Sequence, residues 1–527
     1  MSTQLPNGWA WATPTILASP DKNSLCIGPF GSNLKVSDYC VEGVPLVFVR
    51  NIRSEVFAGY DLKYVSTGKA AQLAAHVVKP GDVLITKMGE PPGDSALYPL
   101  SRPVGIITAD CIRWSVDPRI VSARYVVYAT RSTEVREQIL GIAKGVAQRK
   151  VSLARFKSVR YRLAPPAEQH RIVEAIDSYL TRLDDAMVTL ARVQRNLKRY
   201  RASVLRAAVE GRLVPTEAEL ARAEGREYEP AWVLLERILE ERRRRWEEAE
   251  LAKMGAKGKL PKNSTWKAKY VEPAGPDSNE LPELPEGWCW TTVDQLIADP
   301  LANGRSVKTA DTGFPVLRLT SLKNGRVDLE EHKIGAWTAE EASGFLIQEG
   351  DFLVARGNGS IRLVGAGGIV SRVSIPMAYP DTIIRMRLSL FVDPIFFAHV
   401  WNSRSMRDQI ESKAKTTAGI FKVNQKDLSS CLIPLPPAQE QFRIQAEIQR
   451  VFGECDASQD YVGKSVIRCS HLRQSILKWA FEGRLADQDP SDEPADVLLE
   501  RIRAERAAGN SKKQPRTRRV NTRSASA

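Results

Sequence analysis

The 527-residue sequence predicts an α+β protein in which two globular α/β domains are separated by a pair of long antiparallel coiled-coil helices, with an internal pseudo-twofold repeat. Three observations predict this fold class. The heptapeptide LPNGWAW, which begins at Leu5, returns as LPEGWCW from Leu284. Matching residues from Lys150 onward keep a constant offset of 272 between the two copies. Apolar residues inside that stretch recur every three or four positions, as on one face of a helix.

The globular domains are predicted at residues 1–163 and 284–434, where short apolar runs bounded by Gly or Asp are typical of strands. The segment GVPLVFVRNI from Gly43 is echoed by GFPVLRLTSL from Gly313, and PGDVLITKMGE from Pro80 is echoed by EGDFLVARGNG from Glu349. The offset between copies drifts from 279 through 270 to 269 along these segments. Such drift is expected where loops change length between related domains.

A long helix is predicted after each domain. The constant offset indicates two helices of constrained length, because each inserted residue would rotate a packed face by about 100°. No Pro or Gly lies between Ala167 and Gly211, which predicts a first helix of about 40 residues. The predicted spacer seam comprises Ile172, Ile176, Leu183, Leu190 and Leu197 in the first copy, and Ile444, Ile448, Val451, Val462 and Ile476 in the second.

Two arrangements fit these seams. The helices can pack on each other as an antiparallel coiled coil, which two copies of one seam favour, or each helix can pack on its own domain. Gly453 and Gly463 lie near the second stripe and leave a break in that helix open.

An amphipathic coda follows each helix, EPAWVLLERILEERRRR from Glu229 and EPADVLLERIRAERAA from Glu493. Helix and coda together occupy residues 164–246 in the first copy and 435–507 in the second. Residues 247–283 are rich in Gly, Lys and Pro and are predicted to form a linker. Residues 508–527 are predicted to be a basic disordered tail.

The composition favours a polyanionic partner, since 76 Lys and Arg against 62 Asp and Glu give a formal charge of +14. A basic protein without such a partner fits the same count. Seven scattered cysteines and five histidines without ligand spacing predict neither a disulfide framework nor a metal site. The sequence also predicts no signal peptide and no membrane span, so we expect a cytoplasmic protein.

Basic residues beside flexible backbone are the candidate DNA-binding residues. One set stands where a predicted buried strand ends near glycines, and the other forms a loop before each long helix. Residues of both sets offer hydrogen-bond donors to phosphates and base edges, although solvated loop residues are the simpler interpretation. The candidates are Lys87, Lys144, Gln148, Arg149 and Lys150 in the first domain, and Arg356, Asn358, Lys415, Thr416 and Lys422 in the second.

Motifs of catalysis are missing from the sequence. It contains no GxxxxGK[ST] phosphate loop, no (Asp/Asn)-Pro-Pro-aromatic methyltransferase signature, no GxSxG elbow and no acidic nuclease cluster repeated in both halves. We therefore expect no catalytic residues, no metal and no directly bound cofactor.

The chain resembles the specificity subunit of type I restriction-modification enzymes. The resemblance rests on the order of domains and helices, the LPxGWxW openings, the Glu-Gly-Arg-Leu motif that follows each long helix, and the stretch IPLPPAQEQFRI from Ile433. LAPPAEQHRI from Leu163 is the first-copy equivalent of that stretch. The resemblance covers nearly the whole chain.

This resemblance implies two target-recognition domains that each read one half of a split, asymmetric sequence in double-stranded DNA. It implies that the helices set the spacing and dock two methyltransferase subunits, and that motor-nuclease subunits join for restriction. S-adenosylmethionine, ATP and Mg²⁺ would then belong to those partners. A fused enzyme, a coiled-coil scaffold that binds only protein and an orphan specificity protein without active partners are the alternatives.

Overall fold

A computed structural model of the chain describes residues 4–53, 56–145, 148–258, 261, 263–277, 281–323, 325–417 and 419–511. The chain divides into two compact units. Unit 1 comprises Met1–Ala191 with Gly463–Ala527, and unit 2 comprises Arg192–Val462. Most of the predicted basic tail, from residue 512 onward, lies outside the described residues.

Two of the helices are much longer than the others, at 44 residues each. They are α6 and α14 in the chain-order series α1 (Pro14–Leu17), α2 (Thr67–Gln72), α3 (Ala123–Arg131), α4 (Thr133–Ile142), α5 (Leu153–Phe156), α6 (Pro166–Val209), α7 (Glu217–Glu224), α8 (Ala231–Ala256), α9 (Val293–Leu296), α10 (Ala339–Ala342), α11 (Pro394–Trp401), α12 (Arg404–Lys413), α13 (Gln425–Ser429), α14 (Ala438–Phe481) and α15 (Ala495–Ser511).

The described residues of unit 1 form three sheets, ordered β1-β11, β2-β10-β7-β8 and β3-β5-β4-β9-β6. Their strands are β1 (Ala10–Ala12), β2 (Leu25–Ile27), β3 (Tyr39–Cys40), β4 (Val44–Val47), β5 (Lys63–Val65), β6 (Val77–Val78), β7 (Val83–Thr86), β8 (Ser95–Leu97), β9 (Gly105–Ile107), β10 (Cys111–Trp114) and β11 (Tyr161–Leu163). The first sheet joins the LPNGWAW segment to the strand that immediately precedes α6.

Unit 2 contains sheets ordered β12-β24, β13-β21-β18-β20-β16-β15, β14-β17 and β19-β23-β22. Their strands are β12 (Cys289–Thr292), β13 (Ile297–Asn303), β14 (Thr309–Leu317), β15 (Leu322–Lys323), β16 (Arg326–Val327), β17 (His332–Gly335), β18 (Phe352–Ala355), β19 (Gly357–Asn358), β20 (Gly367–Ile369), β21 (Ile383–Leu388), β22 (Lys415–Thr417), β23 (Ile420–Lys422) and β24 (Leu432–Leu435). β12 and β24 repeat the pairing of β1 with β11.

Each unit builds its main core from its globular domain and from parts of both long helices. In unit 1, Ile172 and Ile176 near the start of α6 share a core with Ile476 near the end of α14. In unit 2, Ile444 and Ile448 near the start of α14 share a core with Val204 near the end of α6. The two helices are therefore antiparallel, and each one packs both on its partner and on its own domain.

Ion pairs on the helix surfaces follow the same register. Arg473 pairs with Asp184 in unit 1, and Arg201 pairs with Asp456 in unit 2. α14 remains a continuous helix through Gly453 and Gly463, so the break that these glycines left open does not occur.

The predicted seam is buried to different extents along its length. Ile172, Ile176, Ile444, Ile448, Val451, Val462 and Ile476 are buried, whereas Leu183, Leu190 and Leu197 are half-buried. The same spacing includes Tyr179, Tyr200, Leu472 and Trp479, which are exposed. The apolar stripe therefore contains both buried and exposed residues, and periodicity alone does not show which of its members a neighbour covers.

The repeated motifs meet at one junction in each unit. In unit 2, Gly211 of the Glu-Gly-Arg-Leu motif takes a φ of +65° and lies so close to Pro285 that a Cβ would overlap the proline ring. The backbone N–H of Ala231, in the coda, donates to the carbonyl of Gly287 at 2.7 Å. In unit 1 the equivalent contacts join Gly483 to Pro6 and Ala495 to Gly8.

The coda helix α8 continues to Ala256, so the first ten residues of the predicted linker 247–283 are helical. Part of the linker packs back on this helix. Trp266 stacks on Trp246 with ring centroids 5.9 Å apart, and Tyr270 contacts the same indole at 5.3 Å. The Thr292 hydroxyl then donates to the carbonyl of Ala274 at 2.9 Å, which ties the linker to the second domain.

Candidate nucleic-acid interface

Lys87 and Arg356 occupy equivalent positions, each one residue after a buried central strand. β7 ends at Thr86 and β18 ends at Ala355, and all residues of both strands are buried. Lys87 Nζ donates to the carbonyl of Ala109 at 3.1 Å, and Arg356 Nη1 donates to that of Asp381 at 3.4 Å. Both side chains are half-buried. Each cation therefore supports the turn before a neighbouring strand of its sheet, β10 for Lys87 and β21 for Arg356.

In unit 2 the two basic segments predicted from the sequence come together in one sheet. β23 is the centre of this sheet, with β19 on one side and β22 on the other. Lys422 lies opposite both Gly357 and Lys415, and Phe421 lies opposite Asn358. The backbone N–H of Val423 donates to the carbonyl of Arg356 at 2.9 Å, which joins the hairpin to the end of β18.

Unit 1 repeats this ladder with shorter pairing. Lys150 forms β-bridges with both Met88 and Lys144. Lys144 and Lys150 exchange both backbone hydrogen bonds, at 3.0 and 2.9 Å. The N–H of Val151 donates to the carbonyl of Lys87 at 2.9 Å, the same bond that Val423 makes with Arg356. The segments that the sequence predicted separately thus meet in both units.

Each ladder places two lysines directly opposite each other, Lys144 with Lys150 and Lys415 with Lys422. All four side chains are exposed. None forms an ion pair with a carboxylate of the described residues. Like charges in direct cross-strand positions destabilise a hairpin. Two facing ammonium groups present up to six N–H donors, which suits binding of an anion such as phosphate.

The other predicted residues lie around these lysine pairs. Gln148, Arg149 and Thr416 are exposed, and Asn358 is half-buried. The Asn358 Oδ1 accepts a hydrogen bond from the backbone N–H of Ser360 at 3.1 Å, so part of its side chain shapes the loop.

Sequence reasoning did not select Ile420, although it lies in the same hairpin. Ile420 is 44% exposed, and it stands two residues before Lys422 as Gln148 stands two residues before Lys150. The constant offset of 272 was the signal that could have found it.

The repeated Glu-Gln pairs support the domains rather than this surface. The Oε1 atoms of Gln169 and Gln441 accept hydrogen bonds from the backbone N–H groups of Ser122 and Asp393, both at 2.9 Å. Both glutamines are buried. They fix the start of each long helix against its own domain.

No protein-family model matches the chain. Over 533 aligned positions it is 26% identical to the specificity subunit of the type I restriction enzyme EcoKI from Escherichia coli strain K12, with 97% of this chain and 98% of the relative covered. It is 25% identical to the specificity subunit of the type I restriction enzyme StySPI from Salmonella potsdam, with the same two coverages. The chain is a homologue of type I restriction enzyme specificity subunits.

Two solved structures share the fold of this specificity-subunit homologue. One, from work on complex assembly and conformational transition of the type I restriction-modification system, has a TM-score of 0.59 and 15% identity, covering 92% of this chain and all of the other. The HsdS subunit from Thermoanaerobacter tengcongensis has a TM-score of 0.51 and 15% identity, with 91% and 98% covered. These likenesses establish the fold.

Neither a metal-binding cluster nor a membrane-spanning helix is present in the described ranges of this specificity-subunit homologue. Within those ranges no three His, Cys, Asp or Glu side chains are grouped so that they could hold a metal ion. No helix there combines the length and apolar character needed to cross a membrane.

Proposed function

We propose that this chain is the DNA sequence-recognition subunit of a type I restriction-modification complex and is itself non-catalytic. The similarity to specificity subunits runs through 97% of the chain, so it includes both globular domains and both long helices. Catalysis would belong to partner subunits, which would also bind S-adenosylmethionine, ATP and Mg²⁺.

The duplicated lysine pair is the observation that carries this proposal. Each domain exposes two facing lysines at the same place in its fold, and each pair lacks a carboxylate partner among the described residues. A phosphate would offset the repulsion within each pair, so the cost of placing like charges opposite each other is recovered on binding DNA. Two such elements in one chain support recognition of two half-sites.

The two domains differ around the shared lysines, which supports half-sites of different sequence. Met88 lies opposite Lys150, whereas Gly357 lies opposite Lys422. A protein whose domains are similar in fold but different in these side chains would read an asymmetric, bipartite target.

The long helices would fix the distance between the half-sites. α6 and α14 are each unbroken over 44 residues, and side chains of each helix lie in the cores of both units. A helix rises about 1.5 Å per residue, so its length sets a spacing that loops could not hold. We expect the helices also to dock two methyltransferase subunits, for which exposed apolar residues such as Tyr179, Tyr461 and Ile467 offer contacts.

The test is to map base methylation in cells that produce the chain together with its methyltransferase subunits. We expect methylation at a single bipartite, asymmetric sequence with a fixed gap, and its loss when the chain is omitted. A double variant, Lys150→Gln with Lys422→Gln, should reduce methylation at that sequence without creating another. Methylation that is the same with and without the chain would contradict the proposal and would favour a scaffold that binds only protein.

A further inference from the structure

The segments that end in Lys150 and Lys422 carry a matched, exposed position at which the two units differ in chemistry. We define the reader position as the residue two places before the second lysine of each pair, Lys150 or Lys422. It is Gln148 in unit 1 and Ile420 in unit 2. The inference below concerns this position and rests on the function proposed above.

The pairing register determines which side of the unit 2 hairpin faces solvent. Side chains alternate between the two faces of a strand, so Ile420 and Lys422 share one face and Phe421 lies on the other. Phe421 is half-buried and packs against the core of unit 2. The face that carries Ile420, Lys422 and the opposite Lys415 is consequently the outer one, and all three side chains are exposed.

In unit 1, Gln148 lies in a bend two residues before Lys150 of the lysine pair. Gln148 and Lys150 are two residues apart, and both are exposed, as is Lys144 across the ladder. Each unit therefore exposes two lysines and, two residues before the second of them, one further side chain. That side chain is an amide in unit 1 and a branched hydrocarbon in unit 2.

The spacing fits a hairpin in the major groove of DNA. Two residues along a strand span about 6.8 Å, so the Ile420 side chain in β23 lies about that far toward the turn from Lys422. The major groove is about 8.5 Å deep, which places a side chain of this spacing near the base edges when the lysines contact phosphates at the rim.

We propose that the reader position contacts base edges, with a different chemistry in each half-site. Gln148 hydrogen-bonds to an adenine, whose N6 amino group and N7 match the carbonyl and amino groups of a glutamine side chain. Ile420 contacts the C5-methyl group of a thymine, the apolar group that the major groove offers. The lysine pairs bind phosphates in both half-sites and contribute affinity without sequence preference.

The first experiment tests Ile420 by removing single methyl groups from DNA. The full chain, together with its methyltransferase subunits, selects its target from random duplexes, and each thymine of that target is then replaced by uracil. At one thymine of one half-site we expect wild-type affinity to fall about fourfold, the effect of about 0.8 kcal/mol for one apolar group. The Ile420→Ala variant should bind the thymine and uracil duplexes equally at that position.

The second experiment tests Gln148 in the other half-site with 7-deazaadenine, which lacks the N7 acceptor. We expect a loss of about fivefold or more for wild type at one adenine, and no such loss for Gln148→Ala. The matched controls are Lys150→Gln and Lys422→Gln. They should weaken binding to modified and unmodified duplexes by the same factor.

The outcomes separate this inference from the function on which it rests. If the complex of the full chain with its methyltransferase subunits enriches no sequence, the proposed function is overturned and the inference with it. If it enriches a bipartite sequence, but Ile420→Ala and Gln148→Ala retain the wild-type sensitivity to every base analogue, only the inference is overturned.

Discussion

The indole Nε1 of Trp288 donates a hydrogen bond to Oε1 of the buried Glu440 carboxylate at 2.9 Å. Trp9 makes the same bond to Glu168 in unit 1, at 3.0 Å. Burial raises the pKa of both carboxyl groups, and these indole donors are among the bonds that counter it. In each unit, the tryptophan of the LPxGWxW motif is thus tied to the first turn of a long helix.

Replacing Trp288 by phenylalanine should destabilise unit 2 by about 1–3 kcal/mol, because one oxygen of the buried carboxylate loses its partner. The backbone N–H of Glu217, at 2.9 Å from Glu440 Oε2, would remain. Trp290→Phe is the matched control, since it removes an indole donor that lies 2.8 Å from the exposed carbonyl of Pro282. Urea unfolding of both variants gives the comparison. Equal losses of stability would show that the hydrogen bond to Glu440 contributes no more than the exposed one to Pro282.

Gly211→Ala should destabilise the protein more than Gly225→Ala. Both glycines have a φ of +65°, so both substitutions carry the same left-handed backbone cost of about 1–2 kcal/mol. A Cβ at Gly225 would meet nothing within 4 Å, whereas at Gly211 it would overlap Pro285. We expect an additional 1–3 kcal/mol, roughly, at Gly211 from this overpacking, measured by urea unfolding. Equal free energies of unfolding for the two variants would contradict the packing described for the junction.

Neutralising one lysine of a pair should weaken DNA binding and leave folding intact. For Lys150→Gln or Lys422→Gln, the slope of log affinity against log salt should decrease in magnitude by about 0.9 for each lost phosphate contact. The free energy of unfolding should stay the same or rise by a few tenths of a kcal/mol, roughly, because a like-charge cross-strand pair is removed. Lys257→Gln, at the exposed end of α8, is the control and should leave both quantities unchanged. A salt slope equal to that of wild type would remove the lysine from the set of phosphate contacts.

His399 should make unit 2 sensitive to mild acid. Burial, with a contribution from Arg326, lowers the pKa of this histidine from 6.5 to about 4, and its ring packs against Phe452 at 5.7 Å. Between pH 6.5 and pH 4, His399 therefore binds a proton in the unfolded chain but stays neutral in the folded chain. The resulting stability is present above pH 6.5 and is lost as the pH falls toward 4.

Between pH 7 and pH 5 this histidine should account for a loss of about 2 kcal/mol in the free energy of unfolding. The His399→Gln variant should lack that component, so its stability should fall less over the same interval. Urea unfolding at both pH values measures the difference. Parallel losses for wild type and variant would show that His399 titrates normally in the folded protein.

The sequence was sufficient to predict the long helices and to match Lys150 with Lys422, because both follow from regular spacing. The structure places these two lysines at the same point of a ladder in each unit. Spacing could not predict which groups the side chains of Lys87 and Arg356 contact. Their partners, the carbonyls of Ala109 and Asp381, lie in turns more than twenty residues away along the chain.

The sequence also could not predict which copy of the LPxGWxW motif each junction glycine contacts. Gly211 could meet either copy of the LPxGWxW motif, because the two copies share the residues that form the contact. In the structure Gly211 meets Pro285 of the second copy, and Gly483 meets Pro6 at the start of the chain. A repeat specifies the type of contact and leaves the pairing between copies to chain connectivity.

We propose that the paired helices hold two different DNA readers at a set distance. Four residues inserted after Ala191 and four after Val462, where one unit gives way to the other, would lengthen each helix by about 6 Å. Mapping the recognised sequence of this variant, by selection or by methylation, is the most direct test. We predict the same two half-sites, separated by about two additional base pairs at 3.4 Å each. An unchanged gap between unchanged half-sites would contradict the claim.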